Sequence, residues 1–236
     1  MLYKEPLIKA TIEKRYKRFL ADVVLDDTGE LVTAHCPNTG SMASCWEKGA
    51  TVYLSKNDDP KRKLKYTWEL TKTAGGYIGI NTHLPNKIVK KAVESGSIEQ
   101  LSGYSSIKSE VKYGDGSRID LLLSDHPGKK NCFVEIKNVT LYDADNDQVT
   151  FPDAVTTRGQ KHLKELSSVV KNGQRAVMFF LINRPEGKSF SPAHEIDPEY
   201  GKLLKQAVDE GVEVLAYRCR TDLNSQTVGE AVSIKI

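Results

Sequence analysis

Up to Ile80 the chain is written in short runs of alternating apolar and polar residues, with no sustained helical period. The runs predict strands over residues 8–14, 19–25, 31–35, 51–55, 66–73 and 77–80. Turn-forming clusters separate them: Asp26-Asp27-Thr28-Gly29, Asn38-Thr39-Gly40, Asn57-Asp58-Asp59-Pro60 and Gly75-Gly76. Short strands at this spacing predict a small closed barrel. A five-stranded oligonucleotide-binding (OB) barrel fits the length, and periodicity does not separate it from another small barrel.

Beyond the barrel the pattern changes. Residues 84–94 predict a polar helix, with Asn81 or Thr82 as a cap and Gly96 as a stop, suited to a hinge between domains. Strands are then predicted at 107–113, 118–123 and 132–139, a helix at 155–170, a strand at 176–182, a helix at 199–210 and a strand at 212–217. The run Ala176 to Ile182 is apolar at every position, as in a central strand covered on both faces. The expectation is an α+β protein of two domains: a barrel over residues 1–82 and an α/β domain over 83–236 that begins with a linking helix at 84–96.

Composition adds little to the fold but orients the function. With 39% hydrophobic and 28% charged residues in 236, the chain has the makeup of a globular protein. Its net charge is only +3, but it is unevenly divided. Residues 1–108 hold 17 Lys/Arg against 12 Asp/Glu, or +5, leaving 17 against 19, or −2, for residues 109–236. The first half is therefore the one suited to face phosphates. The four cysteines show no CxxC pair and read as free thiols, with no zinc spacing. With no apolar leader at Met1–Pro6 and no long apolar span, a cytoplasmic location is expected.

Chemistry concentrates after residue 108, where three successive predicted strands carry acids among apolar residues: Glu110, then Asp120 in Ser117-Arg118-Ile119-Asp120-Leu121-Leu122-Leu123, then Glu135 in Phe133-Val134-Glu135-Ile136-Lys137. In a strand, i and i+2 share a face, so Glu135 and Lys137 point together while Val134 and Ile136 pack behind them. Carboxylates in such company are costly to bury unless a cation or hydrogen bonds compensate. Mg²⁺ or Mn²⁺, bound by Asp120, Glu135 and the Ile136 carbonyl, meets that need and would activate water against a phosphodiester. Lys137 can orient the water or stabilise developing charge, and Glu110 can act through water or hold a second ion. An exposed Glu135–Lys137 ion pair is the structural alternative. In Phe151 to Leu163, Thr156 can cap a helix whose first turns present Thr157, Arg158, Gln160 and Lys161, groups suited to a phosphate; a solvated helix face is the alternative.

Four stretches, His35-Cys36-Pro37-Asn38-Thr39-Gly40-Ser41-Met42, Ser117-Arg118-Ile119-Asp120, Val134-Glu135-Ile136-Lys137-Asn138-Val139-Thr140 and Phe151 through Leu163, resemble those of the sugar fermentation stimulation protein A family. The resemblance runs from Arg15 to Tyr200. It implies an N-terminal OB-like barrel joined to a restriction-endonuclease-like domain of the PD-(D/E)xK superfamily, DNA binding, and a link to sugar metabolism. By that similarity Asp120, Glu135 and Lys137 fall on the acid and Glu-x-Lys positions of the nuclease motif, and Gln160 on its following helix. Ile119 stands where the superfamily name expects proline.

DNA is the expected partner, single-stranded or duplex, with the oligomeric state open. Arg15, Lys17 and Arg18 around Tyr16 and Phe19 suit nucleic acid, rings stacking on bases and cations tracking phosphates; Tyr16 can equally be core. Arg118, Arg158 and Lys161 are the candidate contacts near the acidic site. In His35 to Met42, Pro37, Asn38 and Gly40 make a turn, its amides can line an anion site, and His35 with Cys36 reads as structural. The leading expectation is a Mg²⁺-dependent nuclease. A non-catalytic DNA-binding regulator of sugar metabolism and a metal-dependent phosphoesterase for small molecules are the alternatives.

Overall fold

The computed structural model describes residues 1–114 and 116–236. In the first domain β1 (Ile8–Tyr16), β2 (Leu20–Leu25), β3 (Leu31–His35), β4 (Thr51–Lys56) and β5 (Tyr66–Thr73) lie in the order β3-β2-β1-β4-β5. A parallel pairing of β3 with β5, at Ala34–Tyr66 and His35–Thr67, closes the ring. Alternate residues point inward, as the pattern requires: Ala10 and Ile12, Ala21 and Val23, Val52 and Leu54 are fully buried around Trp68. A short strand, β6 (Gly76–Gly79), adds to β5 outside the ring.

The second domain runs α1 (Pro85–Glu94), β7 (Ser106–Tyr113), β8 (Ser117–Ser124), β9 (Cys132–Val139), β10 (Leu141–Asp143), β11 (Gln148–Phe151), α2 (Thr157–Lys171), β12 (Arg175–Ile182), β13 (Ser189–Pro192), α3 (Pro198–Asp209), β14 (Glu213–Thr221), β15 (Gln226–Ala231) and β16 (Ser233–Ile234). Its main sheet has the order β15-β14-β12-β9-β8-β7, with β12 parallel to both β9 and β14. Val177, Phe179 and Leu181 of β12 enter the core under α1, while Ala176, Met178, Phe180 and Ile182 enter the core under α2 and α3. The all-apolar run therefore is a central strand with both faces covered. Among the described residues, no helix is long and apolar enough to cross a membrane.

Two features depart from the sequence expectation. The helix expected to link the domains is a layer of the second one: Ile88, Val89, Ala92 and Val93 of α1 are buried against the sheet, and Gly96, at φ +71°, ends it in a Schellman turn with Ser97 N donating to Ala92 O at 2.9 Å. The strands β10, β11, β13 and β16, two to four residues each, form a separate sheet that no periodicity announces.

The domains meet along the His35–Met42 segment. The expected anion site in its turn is filled by the chain's own Asp153, which accepts from Ser41 N at 2.8 Å. A Cβ at Gly40 would overlap the Asp153 carboxylate, so a larger residue there would displace this clasp. Ser44 and Arg184 continue the seam, the guanidinium donating to Ser44 Oγ at 3.0 Å and Thr140 O at 2.7 Å.

Candidate active site

The hairpin of β8 with β9 ends early. Paired residues run Leu123–Cys132, Leu122–Phe133 and Leu121–Val134, and there the ladder stops. One further step of the same register would set Asp120 opposite Glu135, so the two carboxylates flank the fork where the strands part. At the fork β8 also changes its facing. Leu121 and Leu123 pack under α1, yet Ile119, which an unbroken strand would place on the same face, packs under α2 and α3. Across the hairpin Glu110 has φ +57°, an uncommon conformation for a residue with a side chain, and the break lies between its neighbours' pairings Ser109–Leu121 and Val111–Ile119.

At this break Asp120 turns toward β9. Its Oδ2 accepts from Ile136 N at 2.7 Å and its Oδ1 from Asn86 Nδ2 of α1 at 2.7 Å. One residue's N–H and C=O leave a strand on the same edge, which directs the Ile136 carbonyl into the fork as well. Glu135 and Lys137 project together, as the alternation requires, and Lys137 Nζ donates to Glu135 Oε1 at 2.7 Å. The same oxygen meets His162 Nδ1 of α2, itself 3.2 Å from Lys137 Nζ.

The electrostatics favour a cation. Burial, and next the charge of Glu135, push the Asp120 carboxyl up to about 6. On Glu135 burial acts upward too, but the bonds and charges of His162 and Lys137 outweigh it and hold the group below the usual carboxylate range. Its second oxygen, Oε2, is buried with no hydrogen-bond partner among the described residues. An anionic oxygen left so costs about 1–3 kcal/mol or more. Glu135 Oε2, the Asp120 carboxylate and the Ile136 carbonyl are hard oxygen donors that fit a divalent ion. Among the described residues no three His, Cys, Asp or Glu side chains cluster as metal ligands, so an ion at the fork would have only two carboxylates and main chain as protein donors.

Other expected site residues lie elsewhere. Glu110 is exposed and does not join Asp120 and Glu135 in a three-carboxylate cluster. Gln160 donates to Asp197, at 2.9 Å and 3.1 Å to its two oxygens, and so ties α2 to the cap of α3 instead of reaching the fork. Arg15 is half-buried, and one nitrogen of its guanidinium donates to Arg18 O, Asn38 O and Gly40 O at 2.8–2.9 Å, a structural role beside the nucleic-acid contact expected of it. Tyr16 is half-buried, its hydroxyl donating to Asp22 at 3.0 Å. Lys17 and Arg18 are exposed at the β1–β2 turn; Arg118, Arg158 and Lys161 are exposed on β8 and α2, Lys161 lying 3.6 Å from Glu165. Thr156 caps α2 as expected, accepting from Gly159 N at 3.0 Å.

Residues 83–225 match the family described as "Sugar fermentation stimulation protein RE domain", and residues 14–80 match "SfsA N-terminal OB domain". The chain belongs to the sugar fermentation stimulation protein family. A homolog of that name from Geotalea uraniireducens is 53% identical over 231 residues, 98% of each chain. One from Geobacter sulfurreducens is 54% identical over 218 residues, 92% of this chain and 91% of its own. The SfsA protein of Pyrococcus furiosus, solved in complex with Ca²⁺, superposes with a TM-score of 0.88 at 28% identity, over 100% of this chain and 98% of its own. An OB barrel followed by a restriction-endonuclease-type domain is thus the architecture of this family member.

Two residues at the fork escaped the sequence reading. His162 had a signal: it occupies the buried stripe of α2 with Gly159, Leu163 and Leu166, where an apolar residue is expected. Asn86 had none, since only the docking of α1 brings it to Asp120.

Proposed function

We propose that this protein is a divalent-metal-dependent nuclease that hydrolyses phosphodiester bonds in DNA. The observation that carries the reading is the buried, unpartnered Glu135 Oε2, with Lys137 and His162 drawn to the other oxygen and the Glu135 charge felt by Asp120 at the strand fork. Asp120, Glu135 and the Ile136 carbonyl would hold Mg²⁺ or Mn²⁺; when bound, such an ion supplies a water acidic enough to ionise at neutral pH and offsets phosphate charge. That the Pyrococcus furiosus protein was solved with Ca²⁺ supports a divalent site in this fold.

The chain's own groups do the rest. Lys137, held at 2.7 Å from Glu135, keeps a positive charge next to the metal ligands, where a phosphate oxygen gains charge during attack. His162 fixes the Glu135 rotamer by engaging Oε1 and so leaves Oε2 for an ion. Arg118, Arg158 and Lys161 supply exposed positive charge on the elements that carry the site, suited to the phosphates on either side of the scissile one.

The test is hydrolysis of single-stranded, duplex and branched DNA with Mg²⁺ or Mn²⁺, by wild type, Asp120→Ala and wild type in EDTA. Cutting by the wild type that falls by about a thousand-fold or more in the other two supports the assignment. DNA bound but never cut would move it to a non-catalytic DNA-binding protein, and cleavage of phosphate esters alone to a small-molecule phosphoesterase.

A further inference from the structure

Next to Lys137 along β9, a cavity of about 310 Å³ opens between the two domains. Asn38, Thr39, Gly40 and Thr82 wall it from the barrel side, Asn138 and Thr140 from the other. No Lys, Arg or His lines it, and Asp153 does, so a phosphate is a poor occupant. Amides and hydroxyls offer donors and acceptors together, the chemistry of a base edge. Asn38 uses Oδ1 to accept from Gly40 N at 2.9 Å, and Asn138 uses Oδ1 to accept from Asn183. These bonds occupy the two side-chain oxygens and not the amide NH₂ groups. The volume is at the small end of ligand pockets, room for one base and far too little for a duplex.

The walls are fixed before any ligand arrives. Thr82 Oγ1 donates to Pro37 O at 2.8 Å, Asp153 holds Ser41, and Arg15 grips the carbonyls of Asn38 and Gly40. The same guanidinium donates to Arg18 O at 2.8 Å, which sets the exposed Lys17–Arg18 turn beside the cleft loop. The cleft loop is thus tied to that basic turn on one side, and Asn138 of the opposite wall follows Lys137 directly on β9.

We infer that the interdomain cleft holds one unpaired nucleobase of the strand whose phosphate lies at Asp120, Glu135 and Lys137, making single-stranded or frayed DNA the preferred substrate. Resting on the nuclease reading, this deepens it by naming the form of DNA and the residues that select it. The experiment uses full-length Asp120→Ala in EDTA, so that nothing is cut, and a short oligonucleotide carrying 2-aminopurine, alone or in duplex, read by anisotropy and fluorescence. Expected are single-strand binding at least about ten-fold tighter than duplex, and a similar loss on adding Asn138→Ala or the cavity-filling Thr39→Trp. Thr39 is exposed, so the tryptophan fills the mouth without removing a contact that the fold uses, and its thermal midpoint checks that. Duplex bound as tightly as single strand, or single-strand affinity untouched by Thr39→Trp, overturns the inference. Wild-type cutting with Mg²⁺, measured alongside, distinguishes the two failures: cutting without strand preference removes only the cleft assignment, whereas neither cutting nor binding removes both.

Discussion

Replacing His162 with alanine tests the core of the site without touching an expected metal ligand. The imidazole is 5% exposed and meets Glu135 Oε1, which Lys137 Nζ also approaches to 2.7 Å. Truncation removes a hydrogen bond to a buried charged group and leaves a ring-sized void. One donor survives on the carboxylate, which places the combined cost at about 2–4 kcal/mol. For a chain of this length that lowers the thermal midpoint by roughly 4–16 °C. The effect on metal is separate: with one of two restraints gone, Glu135 can leave the rotamer that keeps Oε2 unpartnered. Loss of such a supporting partner weakens metal binding by about ten-fold or more. Thermal unfolding in EDTA measures the first quantity and calorimetric titration with Ca²⁺ the second. A midpoint within about 2 °C of wild type together with unchanged Ca²⁺ affinity would refute the role given to this histidine.

Three further outcomes follow from named contacts. Lys17→Ala with Arg18→Ala should flatten the dependence of log K on log salt by about 1.4 on single strands and about 1.8 on duplex, with no change in thermal midpoint; an unchanged slope puts the phosphate contacts elsewhere. Arg15→Ala, by contrast, should destabilise by about 1–3 kcal/mol in urea titration, because three carbonyls lose their donor; a fully stable variant that binds DNA poorly would give it the direct contact and refute the structural role. In the barrel, burial pushes the Glu69 carboxyl above its usual range against bonds from Ser55 and Asn81. A raised folded pKa means that this group's stabilising contribution is full below the unfolded value of about 4.3 and is lost as pH rises through the folded one. Glu69→Gln should therefore gain on wild type in midpoint between pH 4 and pH 8, and parallel pH profiles would contradict it.

Local pattern carried much of this protein. Period-two alternation marked all five strands of the barrel ring, because each must put one face inside a narrow ring, and it marked β7, β8, β9 and β14 in the sheet, while the unbroken apolar run of β12 marked a strand covered on both faces. The acids at 120 and 135 stood out because charge in an apolar strand needs compensation. The same alternation set Lys137 beside Glu135, two residues apart on one face.

What the pattern could not hold is whatever depends on elements distant in the chain. The four short strands of the third sheet are each set by neighbours instead of by their own two to four residues. Gln160 meets Asp197 only through the docking of α3, and Arg15 meets the carbonyls of the turn at 38–40 only because that turn folds onto it. Asn86 meets Asp120 only because α1 packs on the sheet, and His162 meets Glu135 only because α2 packs on the other side. Residue types and their faces are local properties of the chain. The partners that turn them into a site are separated by up to 34 residues here, and by 112 at the Ser41–Asp153 clasp, so only the packed tertiary structure could bring them together.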